Sequence, residues 1–86
     1  MNYYVYLLIS LNSKRLISYV GYTNNLKKRL VLHNSSKGAK FTRGRKWKLI
    51  YSYLYKTKSM AMIEEYKLKK NYKRRNLLKK EYLKNV

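Results

Sequence analysis

Residues 2 to 10 are apolar on both faces of an extended strand, and this constrains the fold more than any other stretch of the chain. Tyr4, Tyr6 and Leu8 point one way and Tyr3, Val5, Leu7 and Ile9 the other, because side chains alternate along a strand. A strand that must be hidden on both sides sits in the middle of a sheet, covered above and below.

Leu11-Asn12-Ser13-Lys14-Arg15 follows as a polar, turn-compatible stretch, and residues 16 to 21 pair back as the second arm of a hairpin. Two short tyrosine motifs, Tyr4-Val5-Tyr6 and Tyr19-Val20-Gly21, therefore lie on neighbouring strands. Tyr4 and Tyr6 share one face, and pairing can bring Tyr19 onto it. The register is not fixed by sequence.

At 86 residues the chain is read as one domain, 1–86, with a modest core. Its 45% hydrophobic content is well above the disordered range, and 11 Tyr can cover apolar surface while keeping a polar end in water. The absence of cysteine removes disulfides, thiolate zinc sites and thiol nucleophiles. No run is suited to spanning a membrane and the N-terminus has no secretion-signal layout, so an intracellular place is expected: cytoplasm or nucleoid, or the nucleus of a eukaryotic host.

Charge narrows the partner. Lys and Arg number 22 against 3 acids, a net +19, of the sign that attracts polyphosphates. An A/T-rich genome would inflate Lys and Tyr but does not explain the shortage of acids. Nucleic acid is the expected partner, with anionic membrane as the competitor.

The element order reads β-β-α-β-α-α, an α/β (α+β) arrangement with a small three-stranded, largely antiparallel sheet flanked by helices. Thr23 or Asn24 can cap a helix to about Asn34, with Leu26 and Leu30 facing the sheet. Arg29 and His33 lie one turn apart on the stripe beside them, although the spacing by itself favours reading Arg29 as part of an ordinary basic face with Lys27 and Lys28. Residues 34 to 48 read as a loop carrying Lys37, Lys40, Arg43, Arg45, Lys46 and Lys48 around Phe41 and Trp47. Basic groups interleaved with aromatics suit phosphate contacts and base stacking, while Trp47 itself is expected to pack into the core. Residues 48 to 55 form the third strand.

A helix beginning near Ser59 places Ala61, Met62, Tyr66 and Leu68 on one broad apolar arc, with Glu65 inside the arc and Glu64 at its polar margin. An inward carboxylate costs free energy unless a cation or metal pairs with it, and the chain's other acids are only Glu64 and Glu81. A structural ion pair, for instance to Arg29, and a metal site both answer that need. Residues 71 to 85 form a basic last helix with Leu77, Leu78, Tyr82 and Leu83 as its apolar side.

These motifs, in order and spacing, resemble the GIY-YIG nuclease superfamily, above all its small stand-alone single-domain members. Those run YVGYT-N-L-KR-L-H, then GAK-T-RG, then EY-K-KK, here Tyr19 to His33, Gly38 to Gly44 and Glu65 to Lys70. The first Gly of the family name is Tyr4 here. The resemblance covers nearly the whole chain.

It implies metal-dependent hydrolysis of DNA phosphodiesters, with structure-specific action in repair or recombination as one setting. Glu65 would bind one divalent ion, Mg²⁺ or Mn²⁺, and Arg29 would clamp the phosphate. Tyr19 would deprotonate or orient the attacking water, with Tyr6 hydrogen-bonding water or phosphate beside it. A free phenol titrates near pH ~10 and needs a metal and a positive field to act as a base. His33 would be the alternative proton acceptor, or would orient Tyr19. One inward acid supports one metal, not a two-metal clamp. Lys28, Lys37, Lys40, Arg43, Arg45, Lys46, Lys69 and Lys70 would hold the DNA. No small-molecule cofactor is expected, and a homodimer or a partner protein stays open. The alternative function is a non-catalytic nucleic-acid-binding module on the same fold.

Overall fold

The computed structural model describes residues 2–12 and 15–85, with only the backbone of Asn12 and Arg15. Strand β1 (Tyr3–Asn12) is followed by β2 (Arg15–Thr23), α1 (Leu26–Asn34), a 3₁₀ turn (Lys40–Thr42), β3 (Lys48–Tyr55), α2 (Lys58–Lys70) and α3 (Tyr72–Lys84). The order is β-β-α-β-α-α, as the pattern of apolar residues predicts. The sheet runs β2-β1-β3 with both pairs antiparallel, so the doubly apolar strand is central. The expected turn at Ser13 and Lys14 lies outside the described residues.

The two faces of β1 bury different cores. Val5 and Leu7 join Val20 with Ala61 and Leu68 of α2 and Leu78 of α3. Tyr6 and Leu8 join Trp47, with Leu26 and Leu30 of α1 half-buried around them. Leu7 has no exposed surface; burying such a side chain contributes about 1.5–3 kcal/mol. Between β1 and β3 the register shifts at Leu7/Leu8, from Leu7 opposite Tyr51 to Leu8 opposite Leu49. The extra residue is Ile50, and the bulge lets the adjacent Ile50 and Tyr51 both pack on the first core.

Several local expectations need correction. The cap of α1 is Asn25, whose Oδ1 accepts from Lys28 N at 3.1 Å. Thr23 still belongs to β2, and its hydroxyl is bracketed to the backbone of Asn25. Thr57 caps α2 one residue earlier than expected. The apolar arcs are narrower than the helical phase suggests: Met62, Tyr66, Leu77 and Leu83 are all exposed, and Ala61, Leu68 and Leu78 alone are buried. A helix resting on a small sheet touches it along one stripe, and a chain this short has nothing left to cover the flanks. Asn71 divides the last two helices, ending α2 and capping α3 through its side chain.

Candidate active site

The hairpin register sets the site. Tyr6 pairs with Gly21 and Leu8 with Tyr19, so Tyr6 and Tyr19 are diagonal neighbours on one face with ring centroids 6.4 Å apart. A Cβ on Gly21 would fall 2.6 Å from Tyr6 Cζ, closer than real contacts allow. The Tyr6 ring occupies the place of that missing side chain. The glycine of the second motif is thus a steric requirement of the tyrosine in the first.

Tyr6 is buried, and its hydroxyl lies 2.8 Å from His33 Nε2. His33 has no exposed surface, and its Nδ1 lies 2.8 Å from Thr42 Oγ1, which in turn donates to Ala39 O at 2.8 Å. A hydroxyl has one hydrogen to give. Thr42 spends its hydrogen on Ala39, so His33 Nδ1 must carry the proton that Thr42 accepts. Nε2 is then the free lone pair, and Tyr6 O–H donates to it. Direction is fixed along the whole chain, from Tyr6 to His33 to Thr42 to the Ala39 carbonyl.

Titration follows from this burial. Desolvation, and the positive charge of Arg29 after it, lower the His33 pKa to about 4. The imidazole is neutral at pH 7, as the hydrogen-bond directions require. Burial pushes the Tyr6 phenol up to about 12, opposed by a hydrogen bond from the Arg29 side chain and reinforced by the charges of Tyr19 and Glu65. Tyr6 therefore keeps its proton.

The wall is braced from the loop. Gly38 leaves room for the imidazole, since a Cβ there would lie 3.0 Å from His33 Cε1. Trp47 Nε1 donates to Thr42 O at 3.0 Å, and Asn34 bridges the Trp47 backbone at both N–H (2.6 Å) and C=O (3.2 Å). Trp47 is core, as expected.

In front of this wall, alongside β2 and between α1 and α2, is a cavity of about 430 Å³ lined by Tyr6, Tyr19, Gly21, Arg29, Lys58 and Glu65 among others. Four of the five predicted catalytic residues meet here, and His33 stands behind Tyr6. The Glu65 side chain is only 17% exposed, and its Oε1 is 3.6 Å from Lys69 Nζ. The ion pair therefore goes to Lys69; no Arg29 pair is present among the described residues. Glu64 pairs with Lys67 at 3.2 Å and lines a separate groove with Tyr51, Tyr55 and Arg74.

No group of three or more His, Cys, Asp or Glu that could hold a metal occurs among the described residues. One carboxylate facing a polar cavity still fits a hard cation such as Mg²⁺ or Mn²⁺, which keeps most of its waters and takes one or two protein oxygens. A single carboxylate suits one such ion, not two.

The expected DNA-binding residues separate. Lys28, Lys37, Lys40 and Arg43 are exposed on α1 and the loop after it. Arg45 lies 5.5 Å from the ring centroid of Phe41, which is exposed and stacked on Tyr19 at 6.2 Å and 19°. Lys69 is engaged with Glu65, and Lys70 lies 5.5 Å from the Tyr66 ring centroid. Lys46 lines a different, mostly apolar cavity of about 670 Å³ with Leu11, Leu16 and Trp47, which holds none of the predicted catalytic groups. Sequence reasoning missed Lys58 as a lining group and Thr42, Gly38 and Asn34 as supports. Gly38 and Thr42 were visible only as letters of a motif, since their partner His33 is reached through the fold.

A three-stranded sheet carrying two tyrosines, with an arginine from α1 and a largely buried carboxylate from α2 around the same cavity, defines a small α+β domain. The GIY-YIG catalytic domain matches residues 2–80, and the chain belongs to that family. It is 54% identical over 52 residues to a UPF0213 protein of Bacillus pumilus, a match covering 59% of this chain and 53% of that one. A UPF0213 protein of Streptococcus pneumoniae is 41% identical over 71 residues, covering 79% of this chain and 72% of its own. The match thus spans about half the length of the first of these relatives. The solution NMR structure of a UPF0213 protein from Bacillus halodurans is 35% identical with a TM-score of 0.49, covering 92% of this chain and 84% of that one. No helix among the described residues is long and apolar enough to cross a membrane.

Proposed function

We propose that this chain is a divalent-metal-dependent endonuclease that hydrolyses DNA phosphodiester bonds, structure-specifically in repair or recombination. The observation that carries the reading is Glu65: in a chain with 3 acids, one carboxylate is folded into the cavity that also holds Arg29, Tyr6 and Tyr19. Phosphate binding alone has no use for an acid there.

Arg29 meets the charge that builds on the phosphate oxygens in the transition state. Mg²⁺ or Mn²⁺ held by Glu65 would polarise the phosphate and stabilise the leaving oxygen. Tyr19 lines the cavity and takes no part in the hydrogen-bond chain that occupies Tyr6 and His33, which supports it as the group that orients the attacking water and, once ionised to the phenolate, accepts its proton. His33 has no surface, stands behind the rings of Tyr6 and Tyr19, hydrogen-bonds toward the cavity through Tyr6 and has a lowered pKa, so it is the weaker base. Tyr6 O–H donates its hydrogen bond to His33, leaving its oxygen lone pairs for Arg29 or the water.

The test is a panel of duplex, single-stranded, flap and four-way DNA, incubated with the purified protein in Mg²⁺ or in chelator. Cleavage of at least one structure, dependent on Mg²⁺ or Mn²⁺, is expected. Tight, salt-sensitive binding with no cleavage of any structure would replace the enzyme with a binding module.

A further inference from the structure

We infer that the carboxylate side of the cavity is completed by its substrate: the free protein holds Glu65 against Lys69, and a divalent cation is retained only when a nucleic-acid phosphate shares it. This rests on the nuclease reading above.

Arg29 and Lys58 line the cavity with this one acid, and Lys69 sits on the carboxylate itself. Such a site repels a divalent ion and attracts a phosphate. No second acid can offset them. Glu64 is held by Lys67 in another groove, and Glu81, on α3, is absent from the lining of this cavity. The remaining protein donors are neutral, whereas Mg²⁺ seeks several oxygens in near-octahedral geometry and commonly draws some from substrate phosphates. A bound phosphodiester supplies both oxygens and negative charge. Lys69, about half exposed, can swing to the phosphate as Glu65 is released. By linkage, the cation must tighten DNA binding by the factor by which DNA tightens cation binding.

The test is Mn²⁺ titration followed by electron paramagnetic resonance on the whole chain, with and without a short oligonucleotide whose integrity is checked on a gel. Because DNA binds Mn²⁺ itself, the quantity read is the difference between the parent and Glu65→Gln, with circular dichroism confirming that each variant is folded. A Glu65-dependent site at least about tenfold tighter with DNA than without is expected. Lys69→Gln should tighten the DNA-free site about two- to fivefold, the scale of an exposed ion pair. A Glu65-dependent site equally tight without DNA overturns the inference and leaves the nuclease reading standing. No Glu65-dependent site in either state overturns both. An unchanged DNA-free affinity in Lys69→Gln removes Lys69 from the mechanism.

Discussion

The two sides of the cavity are built on opposite principles. On one side Tyr6, His33, Thr42 and Ala39 form a buried chain in which every donor has an acceptor, each link 2.8 Å long. On the other, Glu65, Arg29 and Lys58 meet with an excess of positive charge and a single exposed-side ion pair to Lys69. The first is finished in the free protein and can hold geometry. The second is poised for an anion. A catalytic site for phosphoryl chemistry needs both, because positioning must be preset while the charge balance must wait for the substrate.

The contrast is broken most severely at the tyrosines. Tyr19→Phe deletes a hydroxyl from the open side and should cost about two to four decades of cleavage rate with little loss of fold or affinity. Tyr6→Phe should cost less rate but more stability, about 1–3 kcal/mol, because it leaves the buried His33 Nε2 without a donor. Single-turnover rates and urea melts on both variants check this; equal profiles would mean that the two sides are not distinct.

His33 sharpens it through pH. Its folded pKa of about 4 lies below the ordinary imidazole value of 6.5, so between those values the unfolded chain binds a proton that the folded chain refuses. Stability is therefore constant from this group above pH ~6.5 and falls by about 3 kcal/mol as the pH drops to ~4. His33 is the single histidine of the chain, so its NMR titration is unambiguous. Little titration above pH ~5 is expected, and a midpoint near 6.5 would show the wall to be open to water.

Thr42→Val should cost about 1–3 kcal/mol, the same scale as Tyr6→Phe, since His33 Nδ1–H loses its buried acceptor, and Thr42→Ser should restore most of it. Denaturant midpoints decide the point. Equal stability of Val and Thr at this position would remove Thr42 from the wall.

The open side was the more legible in sequence. Helical phase alone turned Glu65 inward and set Arg29 one turn from His33, and the family motifs supplied their roles. The finished side was hidden, because its links join residues 27 and 9 positions apart, a separation that no local period reports. The fold's order was readable from the doubly apolar strand. Cap identity and the exposure of Met62, Tyr66, Leu77 and Leu83 were not, since they depend on how narrow a stripe each helix lays on the sheet.

Glu65 and Glu64 are adjacent on α2 yet face different cavities, which makes their substitution the most direct measurement of function. On the DNA structure the parent cuts best in Mg²⁺, Glu65→Gln should abolish cleavage while binding the same DNA as tightly or more so, and Glu64→Gln should cut at close to the parent rate. Full activity in Glu65→Gln, or equal loss in both variants, would contradict the assignment of the cavity as the place where the phosphodiester is hydrolysed.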